Sequence, residues 1–317
     1  MSNTSAENLL KGLNAQQREA VEHINGPLLI VAGPGSGKTR VITHRIAYLV
    51  RVVGVNPHRI AAVTFTNKAA REMRARLETL LGPSIHDLTA TTFHAFCAQV
   101  LRRDGAALKL NPKFSIYDDD DQMGAVKRAM KDAGIDTKQF APRAVLSVIS
   151  NAKSQLLDAA GFAATKGNYF EELVAKVYER YDAGLRAASA VDFDDLLLKT
   201  WNLFDKHPDV AAKYQKRFVH LMVDEFQDTN LAQYAIARQL AQVNRNICVV
   251  GDPDQSIYSW RNADIRNILS FQHDFPDAKV IALEQNYRST KTILNAASSL
   301  IALNEQRVEK KLFTSNP

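Results

Sequence analysis

A chain of 317 residues with 46% hydrophobic and 23% charged residues is long enough for about two domains of ordinary globular composition. No run of about eighteen apolar residues occurs, and the opening MSNTSAENLL lacks a basic-then-apolar leader, so no membrane association is expected and the expected location is cytoplasmic. A net charge of +6 permits an anionic partner, and the two distant cysteines, Cys97 and Cys248, lack metal-ligand spacing and read as reduced buried thiols.

The first predicted helix follows Asn14, a capping residue type, and carries Ala20, Val21 and Ile24 on one face. Gln17 within it reads, from spacing alone, as a solvated side chain. After Asn25-Gly26-Pro27, Leu28 to Val31 form an unbroken apolar run, the pattern of a strand buried on both faces. The stretch from Gly33 to Gly37 is too rich in glycine and proline to be helical, and Val41 to Arg51 shows helical apolar spacing. Strand, glycine-rich turn and helix together make a phosphate-binding loop. Small residues let backbone N–H groups close on a polyphosphate, and the helix N-terminus adds its positive end. Gly33, Gly35, Ser36 and Gly37 form the expected cradle. Lys38 is placed for the terminal phosphates and the Thr39 hydroxyl for magnesium. Ala32 stands where the strict pattern has glycine, a minor departure in size.

Arg59 to Phe65 reads as a second buried strand, with Asn67 capping a helix to about Leu81. Phe65 sits at the strand's C-terminal end, where open α/β sheets bind ligands, and suits either core packing or stacking on a base. Leu88 to Thr92 reads as a third strand, and Phe93 opens another helix. His94 has no carboxylate or cysteine at ligand spacing and reads as structural or DNA-facing.

From Asn111 to Ala190 the alternation of strand and helix stops. Gln122–Asp132, Pro142–Leu157 and Glu171–Arg186 show helical periodicity and predict a helical insertion. The acids Asp118 to Asp121 lack the glycine and glutamate of a calcium loop and suit a helix start. Lys127, Arg128, Lys131 and Lys153 read as a solvated face.

The acidic stretch Val191 to Leu196 is accounted for by a helix cap alone. Phe218 to Val223 is an apolar strand ending in Asp224-Glu225-Phe226-Gln227-Asp228. Acids at the end of a buried strand are costly unless used. Downstream of a phosphate loop, the first suits the magnesium shell and the second the attacking water. Asn246 to Val250 is another buried strand, leading to Gln255, which suits a γ-phosphate, and to Tyr258, Trp260 and Arg261, which suit stacking of unpaired bases. Core packing is the alternative for Trp260. Lys279 to Leu283 is the last strand, followed by Glu284 to Thr290 and a helix from Lys291 to Leu303.

The stretches LNAQQ, AGPGSGKT, AVTFTNKAA, TTFHAF, VDFDDL, VDEFQDTN, GDPDQSIYSWRNAD and LEQNYRST, in that order from Leu13 to Thr290, resemble the motifs of the UvrD/PcrA/Rep group of superfamily 1 DNA helicases. Asn262 departs from the glycine usual there, which bears on the local turn. The resemblance implies an α/β fold: a RecA-like P-loop NTPase domain with a parallel sheet, an all-helical insertion and the start of a second RecA-like domain. The expected boundaries are 1–107 and 191–278 for the first domain, 108–190 for the insertion and 279–317 for the start of the second.

It further implies ATP and Mg2+. Gln17 would read the adenine with Arg40 and Tyr287 on the base. Lys38 and Thr39 would serve phosphates and metal, Asp224 the metal and Glu225 the water, with Gln255 and Arg288 sensing the γ-phosphate. Phe65, Phe193, Tyr258, Trp260 and Arg261 would line a single-strand track, with Thr92 and His94 near its backbone. The implied partners are single-stranded DNA and its junctions with duplex.

In such proteins two RecA-like domains close on ATP and open after hydrolysis, which moves them 3′ to 5′ along the strand. Members of the group continue well past this length, so the chain is expected to be an N-terminal portion that binds nucleotide and single strands, hydrolyses feebly and does not unwind duplex alone. The alternatives are a non-catalytic module binding nucleotide and single strands, or a phosphate-loop kinase. The kinase leaves the Tyr258, Trp260 and Arg261 cluster unexplained.

Overall fold

The computed structural model describes residues 3–165, 167–304 and 310–316. Among them the strands are β1 (Leu28–Ala32), β2 (Ile60–Thr64), β3 (Thr89–Thr92), β4 (Ser115–Ile116), β5 (Ala190–Val191), β6 (His220–Val223), β7 (Ile247–Gly251), β8 (Lys279–Leu283), β9 (Gln285–Asn286) and β10 (Phe313–Thr314). The chain divides into two compact units. One comprises Met1–Thr92, Lys213–Thr229 and Ala237–Pro317, the other Phe93–Ala212 and Asn230–Ile236.

The first unit is built on a six-stranded sheet in the order β3-β2-β6-β7-β1-β8, parallel throughout. The inner strands β1, β2, β6 and β7 are buried along their whole length, as their continuous apolar runs require when both faces are covered. The helices α1 (Asn3–Leu10), α2 (Ala15–Glu22), α3 (Lys38–Tyr48) and α4 (Asn67–Leu81) belong to this unit, and Ala20, Val21, Ile42, Ile46, Met73 and Leu77 pack with Leu28, Ile30 and Ala62 in its core. Because every strand points the same way, the residues that follow β1, β2, β6 and β7 emerge together past the C-terminal ends of the strands.

Two expectations shift here. The cap of α4 is Thr66, whose hydroxyl accepts the Ala69 N–H at 3.1 Å, rather than Asn67. The strand Lys279–Leu283, expected to open a second domain, is instead the sixth strand of the first sheet, with Ile281 opposite Ile30 and Leu283 opposite Ala32. Its backbone pairs along the otherwise open edge of β1 and satisfies that strand's N–H and C=O groups.

The second unit holds α5 (Phe93–Asp104), α6 (Asp119–Asp132), α7 (Pro142–Ser154), α8 (Ala159–Thr165), α9 (Tyr169–Ala187), α10 (Phe193–Lys206) and the short parallel pair β4–β5. Its core joins Val126, Met130, Ile149, Val174, Val177 and Tyr178. It is therefore wider than the expected 108–190: the helices on either side of that segment cluster with it. Asp118 caps α6 through a reciprocal box with Asp121, as its acids lead one to expect. Lys153 does not lie on a solvated face. It is only 1% exposed and salt-bridged to Asp192 and Asp195.

Cys97 and Cys248 are free and buried, and burial pushes their thiols up to about 12 and about 11. Among the described residues no helix is long and apolar enough to cross a membrane.

Candidate nucleotide and single-strand sites

The turn between β1 and α3 is shaped by glycine. Gly35 and Gly37 have φ of 67° and 89°, the left-handed region in which a side chain is strained. A Cβ at Gly35 would stand 2.7 Å from Arg288 Cβ and 2.9 Å from Asn286 Nδ2, and one at Gly33 would collide with Leu312. Within the turn, the Ser36 hydroxyl donates to the Gly33 carbonyl at 2.7 Å. Gln17 is no solvated residue: it is 1% exposed, and its Nε2 donates to the Ser36 carbonyl at 2.8 Å. Its Oε1 also closes a capping box with Asn14 at the start of α2, which fixes the side chain against the loop. Lys38, Thr39 and Arg40 form the first turn of α3, with Thr39 half-buried and Arg40 exposed.

Three expected catalytic side chains converge. Lys38 Nζ lies 3.1 Å from Glu225 Oε2 and 3.3 Å from Gln255 Oε1. Asp224, at the end of β6, is buried and accepts the Glu225 N–H at 3.0 Å. Burial, reinforced by the Glu225 charge, pushes its carboxyl up to about 7 against the pull of the Glu225 N–H, Lys38 and Arg76. Burial and Glu225 raise Asp228 to about 7 as well. Glu225 itself occupies left-handed backbone at φ 50°, a costly conformation for a residue with a side chain.

The segment after β8 also reaches the loop. Asn286 Nδ2 donates to the Pro34 carbonyl at 2.6 Å, and the Tyr287 N–H donates to the Gly35 carbonyl at 3.0 Å. The Tyr287 hydroxyl donates to Gln285 Oε1 at 2.8 Å and accepts from Asn14 Nδ2 at 2.9 Å, which leaves the ring half in solvent. Arg288 is exposed beside Gly35, its N–H held by Asn286 Oδ1 at 2.8 Å.

The aromatic residues fall in two groups. In the first unit Phe65 and Tyr258 have ring centroids 5.0 Å apart, and Tyr258 and Trp260 6.1 Å. Trp260 is 70% exposed, which removes the core-packing alternative. In the second unit Phe193, half-exposed, meets the His94 ring edge-on at 6.0 Å. Thr92 is buried at the end of β3. The side chain of Arg261 lies outside the described residues. Asn262 takes up the left-handed conformation at φ 62° that glycine usually supplies, a role asparagine fills better than most residues.

Residues 13–276 match the UvrD/REP helicase N-terminal domain. The chain belongs to this family. It is 51% identical over 314 residues to the ATP-dependent DNA helicase PcrA of Bacillus subtilis (strain 168), covering 99% of this chain and 42% of that protein. It is 52% identical over 313 residues to PcrA of Leuconostoc citreum, covering 98% of this chain and 42% of the relative. To PcrA of Staphylococcus aureus (strain Mu50 / ATCC 700699) it is 49% identical over 308 residues, covering 97% and 42%. The chain thus spans less than half the length of these relatives.

Against the family's motifs, the structure adds three residues that sequence reasoning passed over. Gln227 Nε2 donates to Glu225 Oε2 at 3.0 Å and to Asp228 Oδ2 at 3.2 Å, while its Oε1 accepts the Asp252 N–H at 2.9 Å. One amide thus ties the acids after β6 to the turn after β7. Asp252, fully buried, caps that turn through the Asp254 N–H and pairs with Lys310, which also lies 2.9 Å from Asp254. The signal for Gln227 was its place between two acids at a strand end. Lys310 gave none, because its partner Asp252 lies 58 residues away.

Proposed function

We propose that the chain is the ATP-binding and hydrolysing portion of a 3′ to 5′ DNA helicase that moves on single-stranded DNA and at its junctions with duplex in the cytoplasm. The observation that carries this reading is the meeting of Lys38, Glu225 and Gln255 at the glycine turn.

The residues fit a nucleoside triphosphate. The turn admits no Cβ at Gly33 or Gly35, no side chain of the N-cap Gly37 closes the first turn of α3, and Lys38 opens that helix. They also fit a magnesium ion, since a buried carboxylate held near 7 gains from a cation beside it. Thr39 and Asp224 would hold the ion, which supplies charge neutralisation to the phosphates when bound.

Gln17, pinned to Ser36, is set to read the adenine edge, with Arg40 and Tyr287 beside the base. Glu225 accepts the proton of the attacking water, and Gln227 fixes the orientation of its carboxylate. Lys38 passes from Glu225 to the phosphates, which frees that carboxylate for the water. Gln255 and Arg288 touch the transferred phosphoryl group. Gln255 shares its loop with Tyr258 and Trp260, so a shift on nucleotide binding moves the base-stacking side chains. Phe65, Tyr258 and Trp260 on one unit, and Phe193 with His94 on the other, stack or flank unpaired bases, each stacked base contributing about 1–3 kcal/mol.

The test is the ATP turnover rate with and without single-stranded DNA, on this chain and on one with the length of its PcrA relatives. Stimulation by DNA in the longer chain supports the reading. Its absence in both would make the chain a non-catalytic binding module.

A further inference from the structure

The second unit contains a buried ion cluster that the nucleotide chemistry does not use. Lys153, near the end of α7, is 1% exposed, and its Nζ donates to Asp192 Oδ2 at 2.6 Å and lies 2.9 Å from Asp195 Oδ1. Tyr181 of α9 donates its hydroxyl to the same Asp192 oxygen at 2.8 Å, and the ammonium lies 5.1 Å from the Tyr181 ring and 5.7 Å from that of Tyr178. Burial works against the ammonium, but the two carboxylates outweigh it and keep Lys153 charged. Lys199 closes the outer side at 3.5 Å from Asp195.

Such a cluster is a poor device for stability alone, because an apolar replacement of equal volume often does as well. What it does is fix a point. Asp192 is the N-cap of α10: its Oδ1 accepts the Asp195 N–H at 2.7 Å while its Oδ2 is held by Lys153 and Tyr181. Phe193 is the next residue, the first of α10, with its ring turned out to solvent and edge-on to His94. Asp194 then bonds Ser150, one turn before Lys153 on α7. The first turn of α10 is therefore tied to α7 on both sides of the exposed aromatic ring.

We propose that Lys153 is a positioning residue for single-strand binding: through Asp192 it sets the cap of α10 and hence the direction in which Phe193 presents its ring to a base. The proposal rests on the reading of Phe193 as a DNA contact.

A double-mutant cycle on the full chain tests it, with affinity for a fluorescein-labelled oligodeoxythymidine read by anisotropy and near-ultraviolet circular dichroism as the fold control. Phe193→Ala is expected to weaken binding about 5- to 100-fold, the range for one lost stacking platform. Lys153→Met is expected to weaken it by a similar factor in the parent chain and to add nothing in the Phe193→Ala background. Should Lys153→Met lose its near-ultraviolet signal, Tyr181→Phe takes its place in the cycle, with a smaller loss that also vanishes in the Phe193→Ala background. An equal loss in both backgrounds overturns the proposal. Unchanged binding by Phe193→Ala alone overturns the DNA-contact reading beneath it, so the two failures are distinguishable.

Discussion

Lys38 Nζ stands 3.1 Å from Glu225 Oε2, so the lysine at the head of α3 pairs with the acid at the end of β6. The pair lies across the central part of the sheet, where β1 and β6 flank β7. It offsets part of the charge that Asp224, Glu225 and Asp228 crowd into one turn.

Lys38→Ala should lower affinity for a fluorescent ATP analogue by about 10- to 100-fold, the scale of one charge-assisted hydrogen bond. Equilibrium titration measures this directly. Affinity within a factor of two of the parent would remove the glycine turn from nucleotide binding.

Glu225→Gln keeps the size and the bond from Gln227 but removes the proposed base. Nucleotide affinity should hold while turnover falls about 100- to 10,000-fold, the usual contribution of general base catalysis. A single-turnover assay separates the two quantities, and unchanged hydrolysis would assign the base elsewhere.

Trp260→Ala should weaken single-strand binding by about 1–3 kcal/mol and leave nucleotide affinity near its parent value. The exposed indole lies 6.1 Å from the Tyr258 ring, centroid to centroid. The reverse pattern, intact DNA binding with lost nucleotide affinity, would favour a kinase-like enzyme.

Burial, followed by the Asp192 charge, raises Asp194 from 3.8 to about 7. Between those values the folded chain holds a proton that the unfolded chain has released, so Asp194 contributes stability at low pH that is lost as pH rises through about 7. In Asp194→Asn this loss disappears, and the difference in melting temperature between pH 5 and pH 8, roughly the two sides of that titration, should shrink. An unaltered difference would mean that Asp194 is ionised throughout.

Asn262 at φ 62° predicts a simple substitution series. Asn262→Gly should be neutral or slightly stabilising, whereas Asn262→Val should cost about 1–2 kcal/mol in urea denaturation. Equal stability of the two would show that the turn rearranges without strain.

What the sequence settled by itself were the features carried by local rules. An unbroken apolar run means a strand covered on both faces, glycines at fixed spacing mean a backbone turned towards phosphate, and an acid before a helix means a cap. These rules reach only a few residues, and they placed Lys38, Asp224, Glu225 and Gln255 at strand ends before any coordinates. They could not place a charge beside a distant partner. Periodicity put Lys153 on a helix but was silent about Asp192, 39 residues on, so a buried ion pair looked like a wet surface. Gln17 looked solvated because its partner, the Ser36 carbonyl, belongs to the glycine turn rather than to its own helix. Lys279–Leu283 looked like the start of a new domain because an apolar strand carries no mark of which neighbour it will pair with. Those choices were made by the tertiary structure, where desolvation and edge pairing act through space, and no spacing along the chain encodes the distance between two residues that meet only after folding.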